Sequence, residues 1–296
     1  MSLSKSGIPY LTHAWDPVVG CTRGCDYCWA ARLARRIGKA TGCDLCVRFR
    51  PHVHAERLVL PLGAAKTIGV GFMSDMFGPV AGWQVVNDVC PGTDWWETST
   101  MQLALRNRIN MDRVCRHTFV TSTRCPQNIP ANLDPPDNWW LLLTATTQRE
   151  VDERLPVALR RWPAGRVILN LEPLISPANP CEIDTHQTWP MRAETSKLDA
   201  LRGFTSSARS EGPTGCRFCD TEERSVAGVI LGGMSGPKAV DFPLDPEWVR
   251  SVRDQCAVAG VPFALKQMSG PRPEPWPLLD GRRHTDLPWT RAEAGE

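Results

Sequence analysis

The chain has 296 residues, 42% of them hydrophobic, and a formal net charge of +2. That is enough apolar material for a full core and excludes an intrinsically disordered chain. The near-neutral charge excludes a global field that would by itself draw the protein to nucleic acid, and no run of 18 apolar residues marks a membrane span.

The opening Met1-Ser2-Leu3-Ser4-Lys5-Ser6 is polar and has no apolar signal region, so a cytoplasmic location is expected, with no membrane partner. In that reducing compartment, 12 Cys argue for metal or catalysis rather than disulfides.

Residues 1–13 read as an irregular arm, and Ala14–Gly20 as a short first strand weakened by Pro17. Residues 29–39 read as a helix. Trp29, Leu33 and Ile37 form an apolar stripe, and Arg32, Arg35, Arg36 and Lys39 a basic one. Residues 41–62 read as a loop carrying Cys43, Cys46, His52 and His54. Thr67–Met73 is a buried-strand pattern ending in Ser74-Asp75. Residues 80–116 read as mostly helical. Further strands follow at 117–122, 139–145, 166–171, 225–231 and 261–265, with helices at 149–161 and 245–259. Pro246 marks the start of the last helix and Gly260 its end. The tail to Glu296 reads as irregular.

This alternation predicts one α/β domain over 1–296, a (β/α) barrel or partial barrel with its site at the C-terminal strand ends. Residues 176–223 break the rhythm and are expected to be an insertion or lid.

Cys21-Thr22-Arg23-Gly24-Cys25-Asp26-Tyr27-Cys28 spaces its thiols as C-x3-C-x2-C. In a chain with this many cysteines, chance gives such a triplet about 0.02 times. Three thiolates hold three irons of a cubane cluster and leave the fourth open. In this the loop, with its aromatic Tyr27, resembles the radical S-adenosylmethionine (SAM) enzymes. That resemblance implies a [4Fe-4S] cluster on Cys21, Cys25 and Cys28. Its open iron would bind the amino and carboxylate groups of SAM, which is cleaved to a 5′-deoxyadenosyl radical.

The rival is zinc, with Cys25-x2-Cys28 and Cys43-x2-Cys46 as a four-Cys ribbon. A second metal site is also expected, either zinc or an auxiliary cluster. It would form if Cys43/Cys46 join Cys216/Cys219, or if His52 or His54 completes a site with Cys43 and Cys46.

Polar groups stand after several strands. Under the radical SAM reading, Ser74 and Asp75 would hydrogen-bond the SAM amino group. Glu172 would contact ribose hydroxyls or substrate, and Lys266 with Gln267 would close the far side. Gly232, Gly233 and Ser235 lie in a Gly-rich loop whose backbone would pack near adenine or sugar. The plainer roles are a helix cap for Asp75, a salt bridge across the barrel mouth for Glu172 and a surface position for Lys266.

Five segments together carry a closer resemblance: 13–21 with the Cys loop, Met73–Phe77, Leu171–Leu174, Leu231–Pro237 and Phe263–Gln267. They resemble a phage domain of unknown function named for gene products thirty-seven and sixty-eight. Many of its members carry Glu where Met234 stands here. This resemblance implies a three-Cys-motif partner protein and makes a nucleic-acid base a candidate substrate. Arg32, Arg35, Arg36 and Arg124 would meet phosphates. The alternatives are a non-catalytic, zinc-stabilised binding module and a zinc hydrolase using Asp75 and Glu172.

Overall fold

A computed structural model describes residues 3–57, 63–78, 84–86, 117–184, 196–207 and 225–293. The expected first strand is two, β2 (His13–Trp15) and β3 (Val18–Val19), preceded by β1 (Ser4–Lys5). Asp16-Pro17 interrupts it, because proline has no N–H for a ladder. Helix α1 (Trp29–Thr41) follows the Cys loop.

The expected loop at 41–62 instead holds α2 (Asp44–Arg48) and β4 (His52–His54). Next come β5 (Thr67–Val70), β6 (Gln84–Val86), β7 (Thr118–Thr123) and β8 (Trp139–Ala145). β6 is a strand where a helix was expected, because it pairs in parallel with β4. The rest of the expected helical stretch, 80–83 and 87–116, lies outside the described residues.

Helix α3 (Gln148–Arg161) leads to β9 (Val167–Leu171). Within the expected lid lie β10 (Ile183–Asp184), β11 (Ser196–Asp199) and β12 (Phe204–Ser207), an antiparallel three-stranded sheet. β13 (Gly228–Gly232), α4 (Pro246–Ala259) and β14 (Phe263–Gln267) form a β-α-β unit with parallel strands. Helix α4 starts at Asp245-Pro246 and stops at Gly260, as its sequence signals require. The tail is not irregular throughout. It carries the hairpin β15 (Leu278–Leu279) and β16 (Arg282–Arg283), then α5 (Pro288–Glu293).

Hydrogen-bonded neighbours run β1-β2-β5-β7-β8-β9-β13-β14. The β2–β5, β5–β7, β9–β13 and β13–β14 pairings are parallel, and β1 with β2 is antiparallel. This corrects the barrel expectation to a mixed α/β fold on a mostly parallel sheet. Among the described strands β1 and β14 are the two ends, and no closure joins them.

The chain divides into two compact units, 1–142 and 143–296. In the first, Trp15, Ile68, Val70, Phe77 and Phe119 are fully buried, and in the second Ile168, Leu169, Ile230, Leu231 and Leu265. At about 25 cal/mol per Å² of apolar surface, such strands are the main source of stability in each unit.

Helix α1 corrects one detail of the pattern. Its buried stripe is Ala30, Ala34 and Gly38, while Trp29 is exposed. The cause is close approach to α2: a Cβ on Gly38 would lie 2.7 Å from the Cys43 carbonyl and the Cys46 Cβ. Only small residues fit that face.

Candidate functional site

The Cys loop leaves the end of β3 at Gly20. Its φ of +102° and the Arg50 carbonyl, which a Cβ would overlap, require glycine. The Gly20 N–H donates to the Met73 carbonyl at 2.9 Å, and Gly20 bridges in parallel to Ser74. One strand earlier, the Met73 N–H donates to Asp16 Oδ1 at 2.9 Å. Two of the segments singled out in the sequence are thus laced together beneath the loop.

Cys28 is the N-cap of α1. Its Sγ accepts from the Ala31 N–H at 3.4 Å, and its N–H donates to the Cys25 carbonyl at 3.0 Å. Cys21, Cys25 and Cys28 are all half-buried. Burial pushes the Cys21 thiol up to about 11, and the charges of Asp75, Cys25 and Cys28 push the same way. Burial also raises the Cys28 thiol. The charges of Cys25 and Cys28 thus reach Cys21. Three thiolates are the donor type that a cubane cluster takes, but among the described residues the group whose ligand atoms converge as a metal set is Cys43, Cys46, His52 and His54 instead.

Asp75, 7% exposed, follows β5 and is gripped by three donors. Thr123 Oγ1 donates to Oδ1 at 2.6 Å, the Phe77 N–H to Oδ1 at 3.2 Å and the Arg124 N–H to Oδ2 at 3.0 Å. The Phe77 bond lies within a turn at 75–78 rather than at the start of a helix, so the expected helix cap is not seen among the described residues. Ser74 Oγ donates back to the Gly71 carbonyl at 3.1 Å, within its own turn. The Arg124 guanidinium lies 5.7 Å over the Tyr27 ring.

One neighbour escaped sequence reasoning. Cys125 is buried, and its Sγ accepts from Arg23 Nη1 at 3.2 Å. Burial and then Asp75 push its thiol up. Its signal was there: Cys125 stands just past a strand end, as Asp75 does.

The second group is Cys43, Cys46, His52 and His54, whose ligand atoms all lie within 4.8 Å of one another. Gly42 ends α1 in the left-handed conformation, and Cys43 caps α2. His52 and His54 stand two apart on β4, so both rings leave the same face. Cys46 Sγ lies 3.3 Å from each Nε2, Cys43 Sγ 3.7 Å from His52 Nε2, and the two Nε2 atoms 3.0 Å apart. His52 Nδ1 lies 2.7 Å from the Arg50 carbonyl and His54 Nδ1 3.1 Å from Glu56 Oε1. Burial lowers both imidazoles below their usual range and raises the Cys46 thiol. This quartet could hold a metal ion such as zinc. Cys25 and Cys28 are not members of it, whereas the ribbon alternative needed them. Cys216 and Cys219 lie outside the described residues.

In the second unit, Glu172 follows β9 and precedes a cis Pro173. Its Oε1 pairs with Lys266 Nζ from β14, with the two side chains 16% and 12% exposed. The salt bridge considered for Glu172 is present, but between strands that flank β13 in an open sheet rather than across a barrel mouth, and Lys266 is no surface lysine. Gly232 packs on Glu172, since a Cβ there would lie 3.3 Å from Glu172 Cγ. The Gly233 N–H donates to the Gln267 carbonyl at 2.9 Å, the Met234 N–H to Ser269 Oγ at 3.2 Å and the Gly236 N–H to the Gly270 carbonyl at 3.1 Å. Ser235 bridges to Gly270. These N–H groups hold the loop to neighbouring protein rather than face an anion.

A family model described as "Protein of unknown function (DUF5131)" matches residues 5–286. The chain belongs to this family. No curated protein and no solved structure matches it. DUF5131 membership covers both units and both cysteine groups but assigns no chemistry, so any function must come from the side chains themselves. No helix among the described residues is long and apolar enough to cross a membrane.

Proposed function

We propose that this protein is an iron–sulfur enzyme of the radical SAM kind. What supports this most is the C-x3-C-x2-C spacing of Cys21, Cys25 and Cys28 on a loop within electrostatic reach of Asp75, at the C-terminal end of a parallel strand pair. Ligands in open α/β sheets bind at such strand ends.

Cys21, Cys25 and Cys28 would hold a [4Fe-4S] cluster. With one iron open, it supplies a binding point for SAM and the electron for its reductive cleavage. Asp75 keeps Oδ2 acceptor capacity beyond the Arg124 bond and would take the SAM amino group. Thr123 and the Arg124 backbone hold that carboxylate in place. In the second unit, Glu172 and Lys266 neutralise each other.

A nucleic-acid base is the substrate class we favour. Arg32, Arg35, Arg36 and Lys39 are exposed on α1, with Trp29 exposed at its start beside the Cys loop. The test is SAM turnover under strong reductant without oxygen. Wild type releases 5′-deoxyadenosine and methionine, and Cys21→Ala does not. Equal release from both, or none from cluster-loaded wild type, overturns the proposal.

The second reading is a zinc-stabilised binding module acting with a partner protein. The Cys43, Cys46, His52 and His54 quartet favours it. It requires colourless protein without SAM affinity, which co-purifies with its partner.

A further inference from the structure

We infer that Cys43, Cys46, His52 and His54 hold one zinc ion as a closed structural site that sets the frame of the Cys21–Cys28 loop. This does not rest on the radical SAM reading.

The distances carry the first part. Zinc bonds of about 2.3 Å to sulfur and 2.0–2.1 Å to nitrogen, in a tetrahedron, imply edges of about 3.5 Å for S···N and 3.3 Å for N···N. Three of the four S···N edges are 3.3, 3.3 and 3.7 Å and the N···N edge is 3.0 Å, with every pair of ligand atoms within 4.8 Å. Ligands of a cubane sit on separate irons and spread more widely, so this quartet is built for a single ion.

The hydrogen bonds point the same way. A carbonyl only accepts, so His52 Nδ1 carries its proton toward Arg50, and the Glu56 carboxylate fixes His54 Nδ1 likewise. Both Nε2 atoms then present lone pairs to each other at 3.0 Å, an arrangement that a cation between them stabilises. Anchored Nδ1 atoms are the usual outer support of zinc-bound histidines. Two thiolates and two imidazoles suit zinc's borderline softness. Four protein ligands leave no open position, which makes the site structural rather than catalytic.

Its placement carries the second part. Val19 and Val18 pair with His52 and Val53, so the strand bearing both histidines is laddered to the strand that launches the Cys loop. Helix α1 is capped by Cys28 at its start and by Gly42 at its end, next to Cys43. The ion would thus join the far end of α1 to the near end of the loop. Val19, Ala30, Ala34, Cys46 and Met73 form one buried cluster, with Cys28 and Cys43 packed on its edge. The two cysteine groups share that core.

The experiment uses the full chain with Cys21, Cys25 and Cys28 all changed to Ala, so that no cluster contributes metal. We expect about one zinc per chain and an X-ray absorption shell of two sulfurs and two nitrogens. His52→Ala should lower that nitrogen count or abolish binding. Glu56→Gln, which leaves all four ligands in place, should weaken zinc about 10- to 100-fold. In wild type, chelation should speed amide exchange in 18–41 and leave 143–296 unchanged. Zinc-free protein that still folds, a shell without two sulfurs and two nitrogens, or exchange in 18–41 that ignores chelation would overturn the inference.

Discussion

Val19 faces His52 across the β3–β4 ladder, one residue before the glycine that releases the Cys loop. Through this pair a residue of the second cysteine group fixes where the first begins. Gly20 completes the junction, with φ of +102° and the Arg50 carbonyl where a Cβ would lie. Gly20→Ala should therefore destabilise the chain by about 3 kcal/mol, from a strained backbone and an overlap with main chain. Urea unfolding monitored by fluorescence measures this. A loss below about 0.5 kcal/mol would mean that the junction relaxes freely.

Asp16 links the same elements and titrates unusually. Burial lifts its carboxyl to about 6, against the opposing bonds from Met73 and Phe72. A folded value above the unfolded one means that its stabilising contribution is complete below the ordinary 3.8. It is lost as pH rises through about 6. The contribution is at most about 3 kcal/mol. Melting temperature should fall between pH 4 and 6.5 in wild type, and Asp16→Asn should remove that component while keeping the acceptor for the Met73 N–H. An identical pH profile in the variant would contradict the assignment.

Glu172 and Lys266 form a largely buried pair. Lys266→Met leaves a carboxylate without its cation and should cost about 3–5 kcal/mol. Adding Glu172→Gln should recover most of it. Chemical denaturation of the single and double variants measures the coupling. Additive losses would show that the two residues act separately.

Cys125 tests whether three thiols are the whole cluster set. Its Sγ takes the Arg23 guanidinium, which marks it as a neighbour of the loop. Cys125→Ala should keep full iron content after anaerobic reconstitution, whereas Cys25→Ala should lose it. Loss of iron in Cys125→Ala would make it a fourth ligand and remove the open iron.

Spacing made the Cys loop legible, because three thiols within eight residues need no tertiary information to be seen together. Periodicity and turn signals did the same for β8, α3 and α4, whose caps are local. His52 and His54 are legible only as one of two completions for Cys43 and Cys46, since nothing in the sequence marks β4 as a strand. A three-residue strand is too short to show alternation. The buried face of α1 was misread because Gly38 is chosen by contact with α2, not by hydrophobicity. Cys125 was missed for a similar reason: its partner Arg23 is 102 residues away. The Gly232–Gly233 loop looked like a ligand cradle, but its N–H groups hold it to 267–270. Sequence cannot show which neighbour takes a backbone donor.

The most direct measurement is electron paramagnetic resonance of the reconstituted, reduced protein without oxygen, with and without SAM. A four-iron signal that shifts on adding SAM, and that vanishes in Cys21→Ala, is expected. A full zinc complement with no such signal, or an iron signal indifferent to SAM, would contradict an open-iron cluster on the Cys21–Cys28 loop.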